Sequence, residues 1–196
     1  TDPDLKNNMW VNENEIYRSH KDNDGNGYQG DVYGYNFVKN TGVISWDDVN
    51  DTGHGTHVAG VIAAQNDNGI GISSIAGGRG SIPGAKIMSC QIFSGSTASN
   101  ALATVKAIKY AADNGASILQ CSWGYPTQSP FTSDSYYERN YAAEKEAIDY
   151  FVSKKNNDVL DGGLAIFAAG NDATNFASYP GGYRSYVSVT SFGPDY

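Results

Sequence analysis

Seven consecutive residues, His54-Gly55-Thr56-His57-Val58-Ala59-Gly60, hold an imidazole in a glycine-flanked turn that runs straight into the apolar stretch Val61-Ile62-Ala63-Ala64. Histidine exchanges protons near neutral pH, so an imidazole fixed at the mouth of a helix suits general-base chemistry. Zinc hydrolysis asks for two histidines four apart with a glutamate between them, whereas His54 and His57 are three apart with Gly55 and Thr56 between. A second candidate lies at Ala168-Ala169-Gly170-Asn171. A carboxamide presented after small residues at a strand tip can donate to a developing oxyanion, a contact that stabilises it by roughly 3 kcal/mol; taken alone, Gly170-Asn171 is also an ordinary turn pair. The third constellation is the acidic loop from Asp22 to Asp31, with Asp22, Asp24, Asn26 and Tyr28 at alternate positions between glycines. Oxygen donors spaced this way suit a hard cation such as calcium, with Asp31 closing the coordination, or form a solvated turn. An EF-hand is excluded, because the twelfth position from Asp22 is Tyr33 and not a glutamate.

The elements that must position these groups follow from periodicity. Residues 1–50 are polar and rich in Asp, Asn, Gly and Tyr, which predicts elaborated loops with a short strand at Tyr35–Val38. The helix from His54 to Ala64 is apolar nearly all round, the pattern of a helix buried in a core. Strands are expected at Lys86–Phe93, Ser117–Ser122, Leu164–Ala169 and Tyr186–Thr190. Between them, Leu102, Val105, Ile108 and Ala112 mark a helix over Asn100–Ala112 that stops at Asn114-Gly115, and Tyr141, Ile148, Phe151 and Val152 mark a long helix over Tyr137–Lys154. Alternating strands and helices predict a doubly wound α/β fold with a mostly parallel sheet, in which ligands gather beyond the carboxyl ends of the strands. At 196 residues the chain is expected to be one domain, or one large piece of one. Thirteen Lys and Arg against 21 Asp and Glu give a net charge of −8, which argues against nucleic acid and anionic membrane surfaces. No apolar run reaches transmembrane length and Thr1 opens no signal peptide, so a mature or trimmed form is expected. Cys90 and Cys121 sit in strand-like apolar segments, which favours two buried thiols over a disulfide and leaves neither with a partner base.

The order of the His54 block resembles the histidine block of the subtilisin-like serine proteases. Ala168-Ala169-Gly170-Asn171, lying downstream, resembles the segment of that family that ends in its oxyanion asparagine. Ser122-Trp123-Gly124 is similar to the family's edge segment, which pairs with the substrate backbone and walls the first specificity pocket; a second glycine follows there in the family, where this chain has Tyr125. Tyr179-Pro180-Gly181-Gly182-Tyr183 and Tyr186-Val187-Ser188-Val189 resemble the later pocket wall and the strand after it, so the likeness covers almost the whole chain.

The resemblance implies a serine endopeptidase with a Ser/His/Asp triad, in which His54 is the general base, Asn171 the oxyanion donor, and Ser122, Trp123, Gly124, Ala169 and Gly170 bind a polypeptide substrate. The family's aspartate and serine blocks are absent from these residues, so the chain is expected to be the central portion of a peptidase domain, inactive alone, with the remaining segments of that domain as partners and a propeptide as an optional one. Asp51-Thr52-Gly53 has the aspartate signature but follows no apolar strand, and reads as a loop beside the histidine block. A second calcium site is implied, joining Asp4 to the loop Gln65–Ile72 through Gln65, Asp67, Ile70 and Ile72. Secretion or the cell envelope is implied as the location. In the family a strand lies between those matched here by Lys86–Phe93 and Ser117–Ser122, which implies that these two do not pair and that Cys90 and Cys121 remain free. The rival readings are a degenerate relative that binds peptides without cutting them, and a calcium-binding adhesion or structural domain.

Overall fold

The computed structural model describes residues 2–95, 97, 98, 100–128 and 133–194. They form two compact units, Thr1–Ala107 and Ile108–Tyr196.

In the first unit a short 3-10 turn at Lys6–Asn8 leads through loops to β1, Gly34–Asn36. β1 pairs in parallel with β2, Ser89–Gln91, so that Tyr35 faces Cys90. The approach is close because position 34 is glycine: its φ is 115°, and a Cβ there would lie 2.0 Å from the Ser89 carbonyl oxygen. Tyr28, Tyr35 and Phe37 pack edge to face, with centroids 4.9 Å (Tyr28–Tyr35) and 5.2 Å (Tyr35–Phe37) apart, and Leu5 and Val32 are also buried in this unit. The strand expected over Lys86–Phe93 is shorter: Ile87 makes only an isolated bridge to Met9, and Phe93–Ser94 (β3) turns back onto Thr97–Ala98 (β4) as an antiparallel hairpin.

α1 covers His54–Ala63 and opens after Gly53, whose φ of 67° suits a residue without a Cβ. The expectation that this helix is buried does not hold. Among its residues only Ala63 is buried, and Val61 is 44% exposed. Its apolar look comes from small residues, and only its last turn is packed: Asn8 Nδ2 donates to the carbonyls of Ala63 and Gly77, both at 2.8 Å.

α2, Ala101–Asp113, ends as expected at Asn114-Gly115, where Gly115 takes a φ of 86° and the Ala116 N–H returns to the Ala111 carbonyl. Its buried residues are Ala103, Thr104, Ala107, Ile108, Tyr110, Ala111 and Ala112, so Ile108 and Ala112 of the expected stripe are inside while Leu102 is exposed. The largest side chain the helix buries is Tyr110, at a position the apolar spacing did not single out.

The second unit holds three parallel strands in the order β5, β6, β7: Ile118–Cys121, Leu164–Ala168 and Val187–Val189. Cys121 pairs with Phe167, and Ala168 with Val189. The single helix expected over Tyr137–Lys154 is two, α3 (Asp134–Asn140) and α4 (Ala142–Ser153). Tyr141, at φ −124°, ψ 31°, breaks the run, and its ring stacks on Tyr137 at 5.8 Å and tilts against Tyr125 at 4.4 Å. Ser133 caps α3 by accepting the Tyr136 N–H. α4 packs on β6, burying Ala147, Ile148 and Phe151 toward a sheet that contributes Ala165 and Phe167, while Val152, expected inside, is exposed and Glu144 is buried in its place. Parallel strands joined through helices form the expected α/β pattern, divided between two parallel sheets instead of one. β2 takes β1 as partner and β5 takes β6, and Cys90 and Cys121 do not form a disulfide.

Candidate active site

His54 is the first residue of α1, and its imidazole is exposed. The turn before it is held by local hydrogen bonds: the His54 N–H donates to Thr52 Oγ1 at 3.3 Å, and the Asp51 carboxylate accepts the N–H groups of Asp48 (2.9 Å) and Gly95 (2.6 Å). Asp51 is thus committed to backbone donors, in keeping with its reading as a loop residue. His57 is exposed one turn further on.

The other catalytic candidate stands at the tip of β6. Because β5 and β6 are parallel neighbours, the segments leaving their carboxyl ends lie side by side. Ser122-Trp123-Gly124 leaves β5, and Ala169-Gly170-Asn171 leaves β6. Both close on Ser178, a residue that sequence reasoning passed over. A Cβ on Gly124 would lie 2.4 Å from Ser178 Oγ, and one on Gly170 (φ 100°) 3.0 Å from it. The Ser178 N–H donates to the Ala169 carbonyl at 2.8 Å, the Ala169 N–H to the Val189 carbonyl at 2.9 Å, and the Tyr125 N–H to the Tyr179 carbonyl at 2.7 Å. Trp123 is anchored by an edge-on contact with Phe167, centroids 6.1 Å apart, and Ser122 Oγ accepts from Gln120 Nε2. Asn171 is exposed at the mouth of a recess of ≈ 620 Å³, lined also by Phe176, Ser188 and Thr190. Gly124 and Gly170 both press against this one small side chain, Ser178, and both glycines are exposed. Tyr125, which stands where a glycine resembles the family better, turns its ring away onto Tyr141 and gives its hydroxyl to Glu144 at 2.8 Å.

The acidic loop is an oxygen cradle with two members that the sequence did not flag. Carboxylate oxygens of Glu15, Asp22 and Asp24 lie within 4.8 Å of one another. Buried Glu15 accepts the N–H groups of Asn23, Asp24 and Gly30, and buried Asn12 donates to Asp24 (2.8 Å) and to Asp31 (3.3 Å). Asp31 is fully buried and also accepts from Asn26 Nδ2 at 3.0 Å. N–H donors from Gly27, then Gly25 and Asn26, outweigh the effect of burial and hold the Asp22 carboxyl below its ordinary 3.8. Tyr28 spends its ring on Tyr35 and Phe37, so backbone is what it offers the loop. A donor set of carboxylates and amide oxygens fits a hard cation. The signal available for Glu15 was an acid seven residues ahead of Asp22, which no local spacing rule picks out.

Asp4, buried, accepts Asn68 Nδ2 at 2.8 Å and the Ile72 N–H at 3.0 Å, and its carbonyl accepts the Gln65 N–H. The Gln65 side chain accepts from Asn7. Asp67 faces Arg79 in an exposed ion pair, so Asn68 is the side chain that reaches Asp4; the Ile70 N–H bonds to Asn68 Oδ1. Burial pushes the Cys90 thiol up to about 12, which suits an inert thiol.

The profile of the Subtilase family (Peptidase_S8) matches residues 1–194. The chain belongs to the subtilase family. It is 29% identical over 160 residues to "Thermitase" of Thermoactinomyces vulgaris, covering 82% of this chain and 47% of that protein, and 34% identical over 134 residues to "Subtilisin-like protease 1" of Plasmodium berghei (strain Anka), covering 68% and 21%. These residues therefore span less than half of the length of the curated relatives named, about half of the thermitase and about a fifth of the Plasmodium protease. Among solved structures, "Sphericase" matches with a TM-score of 0.54 at 23% identity over 78% of this chain and 44% of that one. The "Prenylagaramide maturation protease PagA" matches with a TM-score of 0.51 at 25% identity over 72% and 43%. The fold is that of the subtilisin-like α/β proteins. Among the described residues no helix is long and apolar enough to cross a membrane.

Proposed function

We propose that this subtilase chain is the central part of a serine endopeptidase that cleaves polypeptides through a Ser/His/Asp triad. The observation that carries the reading is the family match over residues 1–194, with His54 opening a helix and Asn171 at the tip of a parallel strand. In the complete protein His54 takes the proton of the attacking serine hydroxyl and returns it to the leaving amine, while the aspartate, from outside these residues, orients the imidazole. Asn171 donates to the tetrahedral oxyanion. The substrate backbone pairs with Ser122–Gly124 on one side and Ala169-Gly170 on the other. Calcium is held by Glu15, Asp22, Asp24, Asn26, Tyr28 and Asp31, and a second ion by Asp4 and the loop Gln65–Ile72; the protein works outside the cell or in its envelope.

The 196 residues alone are expected to hydrolyse no peptide ester, while the whole gene product hydrolyses it. In the latter, His54→Ala costs on the order of 10⁴-fold or more and Asn171→Ala on the order of 10²-fold in kcat. Ester hydrolysis by the 196-residue chain that a serine-directed inhibitor abolishes would place the nucleophile inside it. A whole gene product that binds peptides yet leaves them uncut would establish the non-catalytic module.

A further inference from the structure

Glu144 is a carboxylate buried to 2% exposure in α4, without an ion-pair partner among the described residues, and the triad chemistry makes no use of it. Its two oxygens are both taken by phenols. Tyr125 Oη donates to Oε2 at 2.8 Å and Tyr137 Oη to Oε1 at 3.0 Å. Burying a carboxylate is costly unless its lone pairs are met, and replacing such a network by apolar groups is often neutral for stability. Stability is therefore a poor reason for it. Geometry supplies a better one, because Tyr125 directly follows the edge segment Ser122–Gly124. Its N–H is tied to the Tyr179 carbonyl, and its ring lies between Trp123 (6.1 Å) and Tyr141 (4.4 Å). The break between α3 and α4 is what brings Tyr141 and Glu144 to this ring. With its amide and its hydroxyl both fixed, Tyr125 has no freedom left to let the preceding backbone pivot.

We propose that Glu144 is a positioning residue for peptide binding: by receiving the Tyr125 hydroxyl on one side and the Tyr137 hydroxyl on the other, it fixes the backbone of Ser122–Gly124 in place for a substrate backbone to pair with. This rests on reading Ser122–Gly124 as the substrate edge.

Amide hydrogen exchange on the 196-residue chain tests it without needing activity. Tyr125→Phe removes one oxygen and keeps the ring; exchange at Trp123, Gly124 and position 125 should quicken by about tenfold, the effect of losing a hydrogen bond to a charged acceptor, with Ile166 and Phe167 in β6 unchanged. Glu144→Leu should loosen the same three amides even if it raises the melting temperature, a dissociation that a merely structural role cannot produce. Unchanged exchange at 123–125 in Tyr125→Phe, or equal acceleration in β6, overturns the proposal. The edge reading is tested apart, by anisotropy of a fluorescein-labelled hexapeptide. Gly124→Ala, whose new methyl meets Ser178, should abolish binding, and Tyr125→Phe should weaken it several-fold. Undiminished binding to Gly124→Ala refutes the edge reading, and the exchange data then judge Glu144 alone.

Discussion

Asn8 offers the sharpest test of how the chain holds His54 in place. It is 4% exposed, and its amide nitrogen donates at 2.8 Å to each of two carbonyls, Ala63 at the end of α1 and Gly77 in the loop beyond, to which no other donor among the described residues is bonded outside the helix. The site is tight: a Cβ on Gly84 would come 2.7 Å from that nitrogen. Asn8→Ala removes two hydrogen bonds and strands two carbonyls. At about 0.5–1.5 kcal/mol for each bond, with a further penalty for acceptors left buried without a donor, the loss is about 3 kcal/mol. For a chain of this length that lowers the melting temperature by about 6–12 °C. Asn8→Asp keeps the shape but sets an acceptor against two acceptors, so it should be at least as harmful above about pH 5. Differential scanning fluorimetry of both variants, beside the exposed Asn7→Ala, gives the answer. If Asn8→Ala melts within a degree or so of Asn7→Ala, the anchor is not what fixes the axis of α1, and the positioning argument for His54 fails with it.

Calcium in the millimolar range should raise the melting temperature over that in chelator, and Glu15→Gln or Asp24→Ala should each reduce the rise; at about a hundred times Kd the linkage is worth about 2.7 kcal/mol. Identical melting in calcium and chelator removes the loop as a site. Stability should also fall on both sides of an acid optimum. Bonds from Tyr183 and Arg184 hold Glu138 below 4.5, and although burial pulls Asp134 upward, Tyr179 and Arg184 hold it below 3.8. Their contribution is present above those ordinary values and lost as pH falls through the lowered ones. Burial raises Glu144 above 4.5 against its two tyrosine donors, so its contribution is full below 4.5 and is lost as pH rises through the raised value. Arg184→Gln should flatten the acid limb and Glu144→Gln the other; melting curves that track the parent chain at every pH contradict both assignments.

Much of the scaffold could be read directly from the residues, for reasons that differ element by element. β6 is a continuous apolar run and β5 one broken only by Gln120, and the tips carrying Ser122–Gly124 and Asn171 lie where that pattern puts them. The stop at Asn114-Gly115 is local chemistry, a left-handed glycine, and was equally plain. What escaped depends on partners far along the chain. Nothing in Asn12 or Glu15 marks them as buried beneath an acidic loop, since each is polar and their burial rests on contacts with residues 23–31. The break at Tyr141 has no proline or glycine to announce it; it follows from rings on separate segments competing for one space. α1 was misjudged because small apolar residues read alike whether or not something covers them.

In the second unit five phenols donate hydrogen bonds to acids: Tyr125 and Tyr137 to Glu144, Tyr179 to Asp134, Tyr183 to Glu138 and Tyr186 to Asp149. Burial first, and then the carboxylate each one faces, pushes the hydroxyls of Tyr125, Tyr137, Tyr179 and Tyr186 above their ordinary 10.0. An unfolded chain would release those protons near pH 10, so the fold keeps their full benefit below that value and forfeits it in stronger alkali. The consequence is a built-in alkaline boundary. These tyrosines cannot ionise one by one within the folded unit, and their phenolate absorbance should emerge together, as the unit comes apart.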